Sequence, residues 1–146
     1  MMSDRALLAE QKFDDGFNCA QSVVFAFQDI LPTDGDLLLR FASGFGAGMA
    51  RNEEVCGAVS GGILVLGARH GSDDTGKNAK ETAYTKVNAL MDGFAKSQGS
   101  YICRQLLHGI DLKTEAGQQA MKDGQFRNSV CKVCVKKSVS LVQELL

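Results

Sequence analysis

Cys19, Cys56, Cys103, Cys131 and Cys134 are the residues of this chain whose type and placement point to chemistry. Thiolates attack disulfides, donate electrons and bind soft metals, and the thiol's pKa and neighbours select among these. Helix-start signals beside the cysteines bear on that pKa. Asn18 in "NCAQ" reads as an N-cap, with Gln21 three residues on to complete a capping box, which makes Cys19 the first helical residue. Asn52 is expected to cap a helix running to Ala68, with Glu53 and Glu54 in its first turn and Cys56 at the edge of that turn. Ser100 is expected to cap the helix of Cys103, and Asn128 or Ser129 that of Cys131. These four thiols would then sit in or beside a first turn, where unpaired N–H groups and a partial positive charge favour thiolate. On this argument Cys19 alkylates faster than free cysteine, while Glu53 and Glu54 oppose the effect at Cys56.

A single cysteine in such a place is commonly a small core residue; four in the same place call for another reason. Other side chains offer less. His70 precedes Gly71 at a helix end, where the dipole accounts for it. His108 is near Cys103 in sequence but is not expected to act as a ligand. Asp14, Asp15, Asp73 and Asp74 read as solvated loop carboxylates. "GFGAGMAR" has the look of a phosphate-cradling loop, but no strand is expected before it and no ribose-binding acid follows about 20 residues on, so a tight connection between helices is the better reading.

The totals narrow the setting. The chain has 146 residues and a formal net charge of -1, which leaves no electrostatic footprint for nucleic acid or an anionic membrane. The most apolar stretch, Gly57 to Ala68, is below the ~18 to 20 residues that cross a bilayer, so no membrane insertion is expected. Asp4 and Glu10 fall where the apolar core of a signal peptide would lie, and the expected location is the cytoplasm. There, cysteines are more often redox thiols, metal ligands or core residues than a disulfide framework.

The elements that must position the thiols are helices. "ALLAEQKFDDG" puts Ala6, Ala9 and Phe13 on one stripe, and "NCAQSVVFAFQDIL" repeats apolar residues at helical spacing until Pro32. "TDGDLLLRFA" is a shorter helix, "NAKETAYTKVNALMDGFAKSQG" a long one ending at Gly99, and "SYICRQLLHG" a short one. "TEAGQQAMKDG" lies in a polar connection before the last helix, "SVCKVCVKKSVSLVQELL". No run alternates β-branched and polar residues, so no strand is expected. Gly57 and Gly61, one turn apart, form a smooth strip on which another helix can pack very close, drawing helix ends and their cysteines together. The exposed face of this glycine-rich segment is a candidate homodimer surface. The expectation is an all-α single domain over residues 1–146, a bundle of about six or seven helices.

"NCAQSV" at Asn18 to Val23, "GFGAGM" at Gly44 to Met49 and "CGAVSG" at Cys56 to Gly61 resemble the C_GCAxxG_C_C family of redox-active proteins. "CRQLLHGID" from Cys103 and "CKVCV" from Cys131 resemble the family's third and fourth cysteine segments, so the likeness runs from Phe13 to the C-terminus. By this resemblance Cys19, Cys56, Cys103 and Cys131 are the family's four cysteines. Cys134 departs from the pattern, since the family usually has a bulky residue there.

Three functions are weighed. The first is thiol–disulfide redox chemistry by Cys19, Cys56, Cys103 and Cys131 with an unidentified redox partner. The second uses the same four thiolates to hold an iron–sulfur cluster or zinc, for electron transfer, sensing or scaffolding, although their spacing matches no familiar ligand string. The third is a helical interaction module without catalysis. "CKVCV" lacks the histidine of a c-type haem attachment, so no haem is expected. Cys131 and Cys134 mimic a CxxC pair, but no βαβ context is present, and Cys134 falls on the apolar stripe of its helix and reads as an inert buried thiol.

Overall fold

A computed structural model describes residues 3–146; the first two residues of the expected domain lie outside the described residues. Capping and apolar spacing account for most elements. Helix α1 (Asp4–Asp14) starts where the Ser3 hydroxyl accepts the N–H of Ala6 at 3.1 Å, and it buries Ala6, Ala9 and Phe13, the stripe read from sequence. Helix α2 (Cys19–Phe25) opens with the full capping box: Asn18 Oδ1 accepts from Gln21 N at 2.9 Å, and Gln21 Oε1 accepts from Asn18 N at 3.0 Å. The helical pattern that extends to Leu31 in the sequence breaks after Phe25 and gives way to a 3₁₀ turn at Gln28–Ile30. Arg5 contributes to the break, because its guanidinium takes the Ala26 carbonyl at 2.7 Å and also binds Asp29.

Helix α3 (Gly35–Ala42) is capped by Asp34, and α4 (Gly57–His70) follows a long irregular link. Helix α5 (Glu81–Gln98) is closed by Gly99 at φ 91°. Helix α6 (Cys103–Leu106) is a single turn, and α7 (Glu115–Asp123), capped by Thr114, occupies the segment expected to be a polar connection. A π-turn at Arg127–Cys131 leads into α8 (Lys132–Leu145). The architecture is all-α, with eight right-handed α-helices among the described residues against the six or seven expected. The helix beyond those expected is α7, whose sequence EAGQQAMKD is mostly polar and buries only Gly117, so apolar spacing gives it no signal and the Thr114 cap starts it. Among the described residues the one β-type feature is an isolated antiparallel bridge between Val55 and Ile102.

Helix α4 is the centre of the bundle, with α2, α5 and α8 packed around it and α1 lying against α2 and α8. Its glycines are what allow this. A Cβ on Gly61 would stand 2.7 Å from the Ala20 carbonyl oxygen of α2, and one on Gly62 would stand 2.7 Å from Leu90 Cδ2 of α5 and 3.0 Å from Ser138 Oγ of α8. Residues 57–62 are buried against these neighbours within the chain. Val23, Val59, Leu66, Leu90, Phe94, Val135 and Val139 fill the core between the helices. No helix among the described residues is long and apolar enough to cross a membrane.

Candidate thiol site

Two backbone arrangements bring the thiols together. Residues 53–56 run alongside 101–104: Cys56 N donates to Tyr101 O at 2.8 Å, Cys103 N to Glu54 O at 2.7 Å, and Arg104 N to Glu53 O at 3.2 Å. Alternate residues of an extended pair share a face, so Cys56 and Cys103 emerge on the same side. The segment before it makes a left-handed turn, with φ of 56°, 68°, 67°, 55° and 69° at Ala47, Gly48, Met49, Ala50 and Arg51. Each non-glycine residue there costs about 1–2 kcal/mol, so the turn persists only because its surroundings fix it. Ala50 N bonds Gly46 O at 2.9 Å and Glu54 N bonds Gly48 O at 3.0 Å. Glu53, only 3% exposed, accepts from Leu112 N at 2.5 Å and from Arg104 Nε at 2.7 Å. Leu112's N–H, then Arg104, hold its carboxyl below the usual range. Gly48 is indispensable to the turn: a Cβ would meet Glu53 Cα at 2.6 Å and Cys103 Cβ at 2.8 Å.

This geometry corrects three of the expected helix starts. Asn52 does not cap a helix; α4 begins at Gly57 with Cys56 itself at the N-cap position, and Glu53 points away to Leu112 and Arg104. Ser100 is two residues too early, because Ile102 occupies the N-cap and Cys103 is the first residue of α6. Cys131 ends a π-turn that starts after Phe126 and passes directly into α8, so neither Asn128 nor Ser129 caps it. Only Cys19 has the expected capped start. The left-handed turn and the pairing across residues 53–104 took the place of helical turns, and neither follows from apolar spacing.

The cysteines nonetheless converge. All five line one cavity of about 150 Å³, walled also by Phe13, Gly57, Leu107, Met121 and Arg127. None is in a disulfide. Cys19 and Cys131 are partly exposed, whereas Cys56, Cys103 and Cys134 are buried. Gly57 lets the first turns of α2 and α4 touch, since a Cβ there would lie 3.2 Å from Cys19 Cβ.

The thiols fall into two facing pairs and a fifth apart. Cys19 faces Cys131, whose sulfur pushes the Cys19 thiol up, and burial adds to this. Cys131 is correspondingly drawn down by Cys19 and by the Arg127 guanidinium one turn earlier, against the cost of burial. Arg127 is itself anchored, stacking 3.7 Å above the Phe13 ring and donating to Phe17 O at 3.0 Å. Cys134 faces Cys56 in the same way. It draws Cys56 down, burial opposes, and the N–H groups of Ala58 and Val59 at the start of α4 assist. Cys134 is pushed up by Cys56 and by burial. Burial, with Cys56 and Cys131 nearby, pushes Cys103 up to about 12. The most acidic thiols are therefore Cys56 and Cys131, not Cys19.

His108 does not line the cavity; its ring lies 6.5 Å from that of Phe126. Among the described residues, no three His, Cys, Asp or Glu side chains are grouped to hold a metal ion. Sequence reasoning missed Arg127 and the participation of Cys134. Both signals were present in the spacing, four residues before and three after Cys131 on one helical path. The clamp from Glu53 to Leu112 had no such signal.

Fold and site together define an all-α protein with clustered, unequal thiols. A family model described as "Putative redox-active protein (C_GCAxxG_C_C)" matches residues 17–145, and the chain belongs to that family. No curated protein and no solved structure matches the chain.

Proposed function

We propose that this protein carries out thiol–disulfide exchange, with Cys19 and Cys131 as the exchanging pair and Cys56 and Cys103 as the further thiols of the same centre. The observation that carries this reading is the facing of Cys19 and Cys131, from α2 and the entry to α8, at the more open part of a cavity lined by every cysteine. Cys131, drawn toward thiolate by Cys19 and Arg127, attacks one sulfur of a partner's disulfide; a mixed disulfide forms and the other partner sulfur leaves as thiolate. Cys19 then gives up its proton to the departing thiolate and displaces the second partner sulfur. The products are a Cys19–Cys131 disulfide and a partner dithiol, so one disulfide is reduced as one dithiol is oxidised. Cys103, held protonated, does not compete for the incoming disulfide. The family assignment to redox chemistry supports the same reading.

The test is a disulfide map. Reduced protein is exposed anaerobically to bis(2-hydroxyethyl) disulfide, free thiols are alkylated, and trypsin follows. Every cysteine falls on its own tryptic peptide, because Lys132 separates Cys131 from Cys134. The expected product links peptide 13–40 to peptide 128–132. Recovery of Cys19 and Cys131 as alkylated thiols would overturn the proposal. Elemental analysis of anaerobically purified protein addresses the metal reading directly: near-stoichiometric iron with sulfide, or zinc released together with the four thiols, would replace exchange by a cysteine-bound centre on the same residues.

A further inference from the structure

We infer that Cys134, with Cys56, forms an inner dithiol that re-reduces the Cys19–Cys131 disulfide across the shared cavity. The inference rests on the exchange reading above and extends it to a residue outside the family's four cysteines. Cys134 is 1% exposed, so burial alone would suit an inert core residue. Its surroundings differ from those of such a residue. It lines the cavity together with the other four thiols, and the Cys56 sulfur has the largest influence on its own thiol.

The placement is held by the fold. Four residues beyond Cys134, the Ser138 hydroxyl donates to Ala58 O at 2.7 Å, pinning α8 to the first turn of α4 just where Cys56 ends the preceding loop. Gly62 leaves room for that contact, since its Cβ would crowd Ser138 Oγ at 3.0 Å. Cys131 and Cys134 are three apart on a continuous helical path, so both sulfurs reach the same cavity, one nearer its mouth and one inside. Cys56 directly precedes Gly57, whose Cβ would stand 3.2 Å from the Cys19 Cβ, so the start of α4 lies against the start of α2. Inner and outer sulfurs thereby line one cavity.

The relay balances. Once the outer pair has been oxidised, the Cys56 thiolate attacks the Cys19 sulfur; a Cys56–Cys19 bond forms, the Cys19–Cys131 bond breaks, and Cys131 leaves as thiolate, the form its surroundings favour. The Cys134 sulfur, giving its proton to the cavity thiolates, then attacks Cys56 and releases Cys19. A Cys56–Cys134 disulfide remains, and the outer dithiol is restored for a second molecule of the partner disulfide. Two electrons and two protons have moved outward, from the inner dithiol to the outer pair, while the disulfide has moved inward, and none is created or lost.

The same peptide map tests this on the unaltered chain, with bis(2-hydroxyethyl) disulfide in excess. The expected result adds a link between peptide 52–69 and peptide 133–136, leaving Cys103 the alkylated thiol. In Cys134→Ser, which keeps the side-chain size, the outer link still forms and the thiol loss at saturation is halved. Recovery of Cys134 as an alkylated thiol from protein in which Cys19 and Cys131 are linked overturns the inner dithiol and leaves the exchange reading standing. A link from Cys56 to Cys103 also overturns it. If Cys19 and Cys131 are themselves recovered unlinked, the exchange reading falls and this inference falls with it.

Discussion

At the scale of single residues, the reactivity of each thiol follows from what its sulfur touches. Cys19 has the capped helix start that would favour thiolate, but the cap consumes it: the Gln21 N–H bonds Asn18 Oδ1, not the thiol. A helix dipole contributes typically 0.3–1 kcal/mol, and burial with a neighbouring sulfur outweighs that. At Cys131 the Cys19 thiol and the Arg127 guanidinium act in one direction. Cys19 and Cys131 are both partly exposed, so the difference in acidity leads us to expect Cys131, not Cys19, to react first. In a timed iodoacetamide series at neutral pH, Cys131 is expected to label fastest and faster than free cysteine, with Cys103 and Cys134 last. Because Cys131 is displaced below and Cys103 up to about 12, lowering the pH from 8 to 6.5 should slow Cys131 less than a free thiol, while Cys103 stays unlabelled throughout. Equal rates at all five would count against this ordering.

At the scale of elements, close approach is the device that assembles the site, and it depends on glycine at a few positions. Helix α4 pays for its interior glycines at about 1 kcal/mol each relative to alanine, and gains contact with α2 that a side chain would prevent. Gly61→Ala puts a methyl 2.7 Å from the Ala20 carbonyl oxygen and 3.1 Å from Ala20 Cα, both backbone atoms that cannot swing aside. The helix-propensity gain is then outweighed by overpacking, and a net loss of about 1–3 kcal/mol is expected in urea unfolding of the reduced protein. Gly67→Ala is the matching control. Nothing lies within 4 Å of its Cβ, so the same change there should be neutral or stabilising by up to about 1 kcal/mol.

At the scale of the whole molecule, Glu53 ties the left-handed turn to two distant segments, α6 through Arg104 and the loop before α7 through Leu112. Its carboxyl is depressed in the folded chain by the Leu112 N–H and then by Arg104. A depressed folded value means stability that is present above the unfolded pKa, about 4.3, and is lost as the pH falls through the folded value. The urea midpoint of the reduced protein should therefore drop on acidification below about pH 4. Glu53→Gln should lower the midpoint at neutral pH and flatten that acid slope, whereas an unchanged slope would show that the clamp does not couple to folding.

The sequence by itself determined the helical class, the capped start at Cys19, the buried stripe of α1, the glycine contact of α4 and the family to which the chain belongs. All of these are written in short-range signals: cap residues, spacing of 3.6, small residues one turn apart, and short cysteine motifs. Tertiary structure alone decided which thiol meets which. Partners 112 residues apart, Cys19 and Cys131, and 78 apart, Cys56 and Cys134, meet through the packing of α8 against α2 and α4, while a left-handed turn and an extended pairing that no periodicity announces set Cys56 beside Cys103. It also decided the order of acidity, because a thiol's pKa is set by the sulfurs, cations and burial around it, and those are supplied by segments remote in the chain.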